Sequence, residues 1–232
     1  MDNKLLRLKL KQRLNKLASN DFTNLECWQE AELINKAQLQ IVRRNLHGNN
    51  IYQEGDEQST TRVDDFQKLL LQKELRGTNN LLFFETVPLP SNYLKFKRVT
   101  VWATTKECKT ERRMTVSLVE EANIDELLAD NLLRPSFKWA ETFCTLIGDK
   151  VRIYTGGDFS VQECRLTYYR MPRPVIFEGC RDVNDNAGTD QELEFKDDVI
   201  EMILDEAVAI AAADMNDYNN YSRAKENVEN GN

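Results

Sequence analysis

Histidine is almost missing from this chain: there is one, His47, in 232 residues. A serine or cysteine nucleophile normally passes its proton to a neighbouring base, most often histidine. His47 stands beside Gly48 at a helix end, with no second member of a catalytic set around it. It reads as a capping or surface residue. The G-x-S-x-G elbow, the G-x-x-x-x-G-K-[ST] loop and the G-x-G-x-x-G fingerprint are all missing, so no phosphate-cradling loop is expected. Long apolar runs are lacking too. None approaches the roughly 18 residues that cross a bilayer, so no membrane partner is expected. The N-terminus alternates Leu and Lys instead of forming an apolar export signal. The five cysteines, Cys27, Cys108, Cys144, Cys164 and Cys180, are widely spaced and contain no C-x-x-C pair. That argues against metal or disulfide use and for reduced packing cysteines.

A basic face is also lacking. The formal net charge is −7, which argues against a duplex-binding protein. The charge is unevenly placed. Residues 1–48 carry nine Lys/Arg and five Asp/Glu, residues 49–177 carry eighteen of each, and residues 178–232 carry four and fifteen. Opposite charge at the two ends can steer docking. Lys4, Arg7 and Lys11 on a basic first helix, and Tyr218 and Tyr221 in a polar C-terminal tail, are the candidate interface residues. Aromatic side chains in such tails are usual anchors.

One acidic stretch, Asp182-Val183-Asn184-Asp185-Asn186-Ala187-Gly188, resembles the start of a calcium loop. The pattern needs Gly at its sixth position and Glu at its twelfth, where this chain has Ala187 and Leu193. A solvated acidic loop is the better reading. The paired carboxylates Asp64-Asp65 and Asp197-Asp198 fit first helical turns, where the helix dipole favours negative charge. No catalytic, cofactor-binding or metal-ligating residue is assigned, and no enzymatic activity is expected.

What the chain does contain is periodicity. Leu6, Leu10, Leu14 and Leu17 make one stripe of a helix over 4–18. Trp28, Ala31, Ile34, Ala37 and Ile41 make the stripe of a second over 24–46, with Gly48 as a left-handed cap. Val63, Phe66, Leu69 and Leu70 suggest a third over 61–75. Pro88 and Pro90 then exclude helix. Strands follow at 94–104, 113–119, 138–147, 150–155 and 160–170, with a Gly148-Asp149 hairpin turn and a short helix at 123–133. Val175-Ile176-Phe177 is a short extended piece. A last helix is apolar on every side from Ala207 to Ala213, so it is buried on every side.

The expected fold is α+β: a helical bundle of three N-terminal helices plus the C-terminal helix, with an inserted antiparallel β domain. The expected segments are 1–78 for the N-terminal bundle helices and 79–180 for the β-rich insert. Residues 181–218 would be the acidic loop and bundle helix, and 219–232 a flexible polar tail.

The run Leu166-Thr167-Tyr168-Tyr169-Arg170-Met171-Pro172-Arg173-Pro174, an acidic loop, then Glu194-Phe195-Lys196-Asp197-Asp198 and an Ile/Leu/Ala helix resembles structural proteins of crAss-like tailed phages. The segment Tyr93–Val101 and the strands around Gly148-Asp149 share the likeness, which covers roughly 90–218. Within that group the chain is similar to a neck or tail ring protein, the head-to-tail adaptor class. The resemblance implies a virion protein, in the host cytoplasm before assembly, forming a homo-oligomeric ring, commonly a dodecamer. It would bind the portal protein on one side and adjacent tail ring proteins on the other. DNA would pass through the lumen without sequence-specific binding. The competing class is a cellular ligand-binding or enzymatic α+β protein, which needs a pocket with convergent polar groups.

Overall fold

The computed structural model describes residues 1–17, 25–47, 66–107, 109–180 and 188–214. The chain divides into two compact units. The first joins Met1–Lys68 to Pro172–Asn232, and the second is Leu69–Met171, inserted between those halves.

In the first unit, α1 is Asn3–Leu17 and α2 is Cys27–His47. The chain's last helix, α4, is Asp197–Asp214. Leu6, Leu10 and Leu14 are buried, as the stripe demands. At the start of α2 the Gln29 side chain accepts a hydrogen bond from the Glu26 backbone N–H (2.9 Å), one half of a capping box. Helix α4 packs against α2 and α1. Every residue from Ala207 to Ala212 is buried, the all-round burial that the small apolar run encodes, but Ala213, expected to share it, is exposed. Side-chain amides hold the extended segment that follows the second unit. Asn35 exchanges two hydrogen bonds with the Val175 backbone (3.1 and 2.6 Å), and Gln38 donates to the Arg173 carbonyl (2.9 Å). Asn3 donates to the carbonyls of Ile176 and Gln191, which face each other in an isolated β-bridge.

The second unit is one eight-stranded mixed sheet with a short helix, α3, at Ile124–Ala129. Its strands are β1 Leu70–Glu74, β2 Gly77–Asn79, β3 Phe83–Thr86, β4 Tyr93–Thr104, β5 Arg112–Leu118, β6 Glu141–Ile147, β7 Lys150–Tyr154 and β8 Ser160–Arg170. Their order is β1-β8-β4-β5-β6-β7-β3-β2. The two edge strands belong to one run, Leu70–Asn79, so the sheet curls back on itself. Its concave face is filled by Phe84, Val99, Val101, Met114, Ile153, Leu166 and their neighbours.

A helical bundle with three N-terminal helices and an antiparallel insert is therefore not what forms. The helix expected over 61–75 is a 3₁₀ turn, Gln67–Leu69, followed by strand β1; residues 61–65 lie outside the described residues. Phe66 and Leu69 are buried, so their spacing did report burial. Leu70–Glu74 has good helix formers, but pairing with Arg165–Tyr169 of β8 supplies backbone hydrogen bonds that outweigh propensity. The second correction is at β5 and β6, which pair in parallel, Thr115 opposite Glu141 through Leu118 opposite Cys144. Parallel neighbours need a crossover, and α3 lies in the one between them. The strand–helix–strand order was visible in the sequence and carried that signal. Strands β1, β2 and β3 are too short and polar for alternation to reveal.

Candidate functional site

Lys4, Arg7 and Lys11 do lie together on α1. They line a half-open cavity of about 340 Å³ with Asp2, Asn3, Leu8, Phe177, Glu178 and Asp190. Two of the three are already engaged. Arg7 (2.7 Å) and Lys11 (3.1 Å) both pair with Glu30 of α2, whose side chain is 1% exposed. The Arg7 guanidinium also sits 5.2 Å from the centre of the Phe177 ring. Further along α1, Lys9 and Arg13 pair with Glu201 of α4, and Arg13 reaches Asp205 at 2.8 Å. Much of the basic N-terminal charge thus meets acidic charge of the same chain. A buried carboxylate needs such partners, because an unpaired charge is costly to desolvate. Lys4 remains exposed. Tyr218, Tyr221 and the 219–232 tail lie outside the described residues, as do Gly48 and residues 182–187 of the calcium-like stretch. Gly188 is described: a Cβ there would stand 2.3 Å from Ile176 Cγ2, so close packing explains this glycine.

Cysteine use differs from expectation. The fold brings Cys27, at the start of α2, to Cys180 as a disulfide across 153 residues, with Cα atoms 5.7 Å apart. That spacing lies within the range a disulfide bridges. Sequence spacing carries no trace of such a pair. Cys144 and Cys164 are free and buried in the sheet interior, where burial pushes each thiol up to about 12. Thiols so placed are inert packing groups. Among the described residues no three of His, Cys, Asp or Glu converge as a metal site.

The surface that sequence reasoning missed is at one end of the sheet. Strand registers put the starts of β3, β5, β6 and β8 and the ends of β2, β4 and β7 at that end. Both termini of the unit, Leu69 and Met171, are at the other end. The connections gathered here are 80–82, 105–107 with 109–111, 130–140 and 155–159. They carry the five most exposed large apolar side chains of the second unit: Leu132 (90%), Leu81 (85%), Trp139 (72%), Leu133 (58%) and Leu82 (50%).

These connections are stitched together. Thr155 and Gly156 donate backbone hydrogen bonds to the Leu82 carbonyl (2.9 and 3.1 Å). Asp158 accepts one from the Phe137 N–H (2.7 Å), and Arg112 donates to the carbonyls of Phe137 and Lys138 (3.1 and 3.0 Å). Leu132 N–H is held by Asp130 (2.8 Å). Gly156 and Gly157 take φ of 57° and 77°, the left-handed turn that lets the 155–159 loop close beside Leu81 and Pro135. The available signal was Leu132-Leu133, set between Asp130-Asn131 and Arg134-Pro135, whereas Leu81-Leu82 runs on into Phe83-Phe84 and its exposure left no mark in the sequence.

No known family model matches this chain, and no curated protein is similar to it in sequence.

Proposed function

We propose that this protein is a structural subunit: a ring-forming component of the head-to-tail connector of a tailed phage, joining portal and tail around the DNA channel. The observation that carries the assembly reading is the loop end of the second unit. Five large apolar side chains stand in solvent on loops fixed by their own hydrogen bonds. Exposed apolar surface gathered in one place usually marks an interaction site, and Trp139 and Arg112 are of the residue types enriched in protein interfaces. The phage assignment draws on the resemblance of 166–174 and 194–214 to neck and tail ring proteins. A closed ring is the arrangement a repeated heterologous contact reaches when its rotation closes. The test is co-expression with the portal protein of the same phage, followed by electron microscopy. Rings stacked on the portal are expected. A protein found as one copy per particle, or never with the portal, overturns the reading.

A further inference from the structure

We propose that the Cys27–Cys180 disulfide is a redox latch, closed and opened by small disulfides and thiols while the first unit stays folded. The proposal stands apart from the assembly reading above and lies wholly within the first unit. Two observations carry it. The first is access. Cys27 is the first residue of α2 and is half-buried, whereas Cys180 is buried. A small thiolate can therefore reach the Cys27 sulfur. The second is that the segment carrying Cys180 is placed by groups other than the bond. Gln38, Asn35 and Asn3 hold the backbone of Arg173, Val175 and Ile176. Glu178 N–H donates to Asp190 (3.2 Å), which also accepts from Asn3 (2.8 Å). Cys180 N–H closes a turn on the Phe177 carbonyl (3.1 Å), through Gly179 at a φ of 74°. With the bond broken, both cysteines stay near one another. Re-forming it is then an intramolecular step, which proximity favours.

The step is thiol–disulfide exchange. In closing, the Cys27 thiolate attacks one sulfur of a low-molecular-weight disulfide such as oxidised glutathione, and one small thiolate leaves. The Cys180 thiolate then attacks the Cys27 sulfur of this mixed disulfide, and the second small thiolate leaves. The two cysteines give up two protons and two electrons, and the small disulfide is reduced to two thiols. Opening is the reverse: a small thiolate attacks Cys27, Cys180 leaves, and a second small thiol releases Cys27. Cys144 and Cys164 do not compete, since thiols so deeply buried are inert. The latch acts on the basic face of α1. Phe177 and Glu178, just before Cys180, help to wall the cavity that Lys4, Arg7 and Lys11 line, and Arg7 lies over the Phe177 ring. Open, this wall loses its covalent tie to α2 and yields more often.

The experiment equilibrates the full chain in buffers of reduced and oxidised glutathione, quenches it, and maps the state of each cysteine by mass spectrometry. Cys27 and Cys180 should pass together from bonded to free as the glutathione ratio changes, with the circular dichroism kept. Cys144 and Cys164 should stay free throughout. The reduced parent should melt about 5 °C or more below the oxidised one, because the bond closes a loop across 153 residues. Hydrogen exchange should quicken over 176–180 and the first turn of α2, and stay unchanged in the sheet of the second unit. Cys27→Ser should behave in both buffers as the reduced parent does. The parent's two states are compared without any substitution, so the test does not depend on that variant folding. A pair that stays bonded until urea unfolds the protein overturns the proposal and leaves a static staple. A pair that stays free in excess oxidised glutathione overturns it as well. So does a bond from either cysteine to Cys108, which lies outside the described residues. Equal melting and equal exchange in the two states would show that the bond holds nothing the hydrogen bonds do not, and would also overturn it.

Discussion

The Asn79 carboxamide takes the place of a backbone partner for Val161. Its Nδ2 donates to the Val161 carbonyl at 2.8 Å, and its Oδ1 accepts from the Val161 N–H at 2.9 Å. Asn79 ends β2, at one edge of the sheet, and Val161 lies in β8, next to the other edge. Leu75 N–H donates to the Cys164 carbonyl (2.8 Å) on the same side. One run of chain thus ties both margins of the curled sheet. Asn79→Ala should cost about 1–3 kcal/mol, since a typical net hydrogen bond contributes 0.5–1.5 and two are lost. Urea unfolding followed by tryptophan fluorescence measures it. A cost within error of zero would show that the side-chain bridge does not hold the curl.

Gly77 begins β2 because nothing larger fits. A Cβ there would meet the Glu85 carbonyl oxygen at 2.3 Å and the Phe84 ring at 2.6 Å. The first of these is backbone of the paired strand and cannot swing aside. Gly77→Ala should therefore cost at least the roughly 1–3 kcal/mol typical of overpacking. At Gly148 a Cβ has open space but φ is +59°, so alanine pays only the roughly 1–2 kcal/mol of a left-handed residue. Paired urea melts of the two variants rank them, and the prediction fails if Gly148→Ala is the worse.

Helix α4 offers a steric test. Ala212 is wholly buried and Ala209 nearly so, while Ala213 is exposed. Leucine at 209 or 212 should lower stability by about 1–3 kcal/mol. Ala213→Leu should be close to neutral, as surface changes usually are. Equal melting temperatures for all three variants would mean that burial of this helix does not limit side-chain size.

Asp205 carries a pH dependence of unusual sign. Burial raises its carboxyl above the ordinary value of 3.8, Glu201 adds to the rise, and the Arg13 guanidinium opposes it. The folded protein then holds its proton more tightly than the unfolded chain does. Stability from this group is present at acid pH and lost as pH rises through the raised folded-state value. Asp205→Asn removes that titration. Its stability relative to the parent should improve as pH is taken upward from the ordinary carboxyl value of 3.8 through the raised folded-state value. Urea midpoints of both proteins at several pH values measure it. A difference that is flat with pH, or that runs the other way, would show that pairing with Arg13 outweighs burial.

Legibility in the sequence followed the range of the interaction. Strand β8 matches its expected bounds of 160–170, and the Gly148-Asp149 turn joins β6 to β7, because alternation and turn chemistry are local. Leu6, Leu10 and Leu14 of the α1 stripe and the burial of 207–212 were equally legible, since one residue's polarity usually reports whether its own face is covered; Ala213 at the end of that run is exposed, and Glu206 beside it is buried against Arg44. Of the candidate interface, Lys4, Arg7 and Lys11 did prove to be neighbours, as helical spacing requires.

The identity of each partner was a different matter. That Leu70–Glu74 is a strand depends on β8 being beside it, more than ninety residues away. That Arg7 and Lys11 face Glu30, and Lys9 and Arg13 face Glu201, depends on how α1 lies against α2 and α4. The Cys27–Cys180 pair and the gathering of Leu81, Leu132 and Trp139 at one end of a sheet have the same origin. Periodicity encodes which side of an element is buried. It does not encode against what, because the free energy of pairing belongs to two distant segments jointly and exists only once the chain has brought them together.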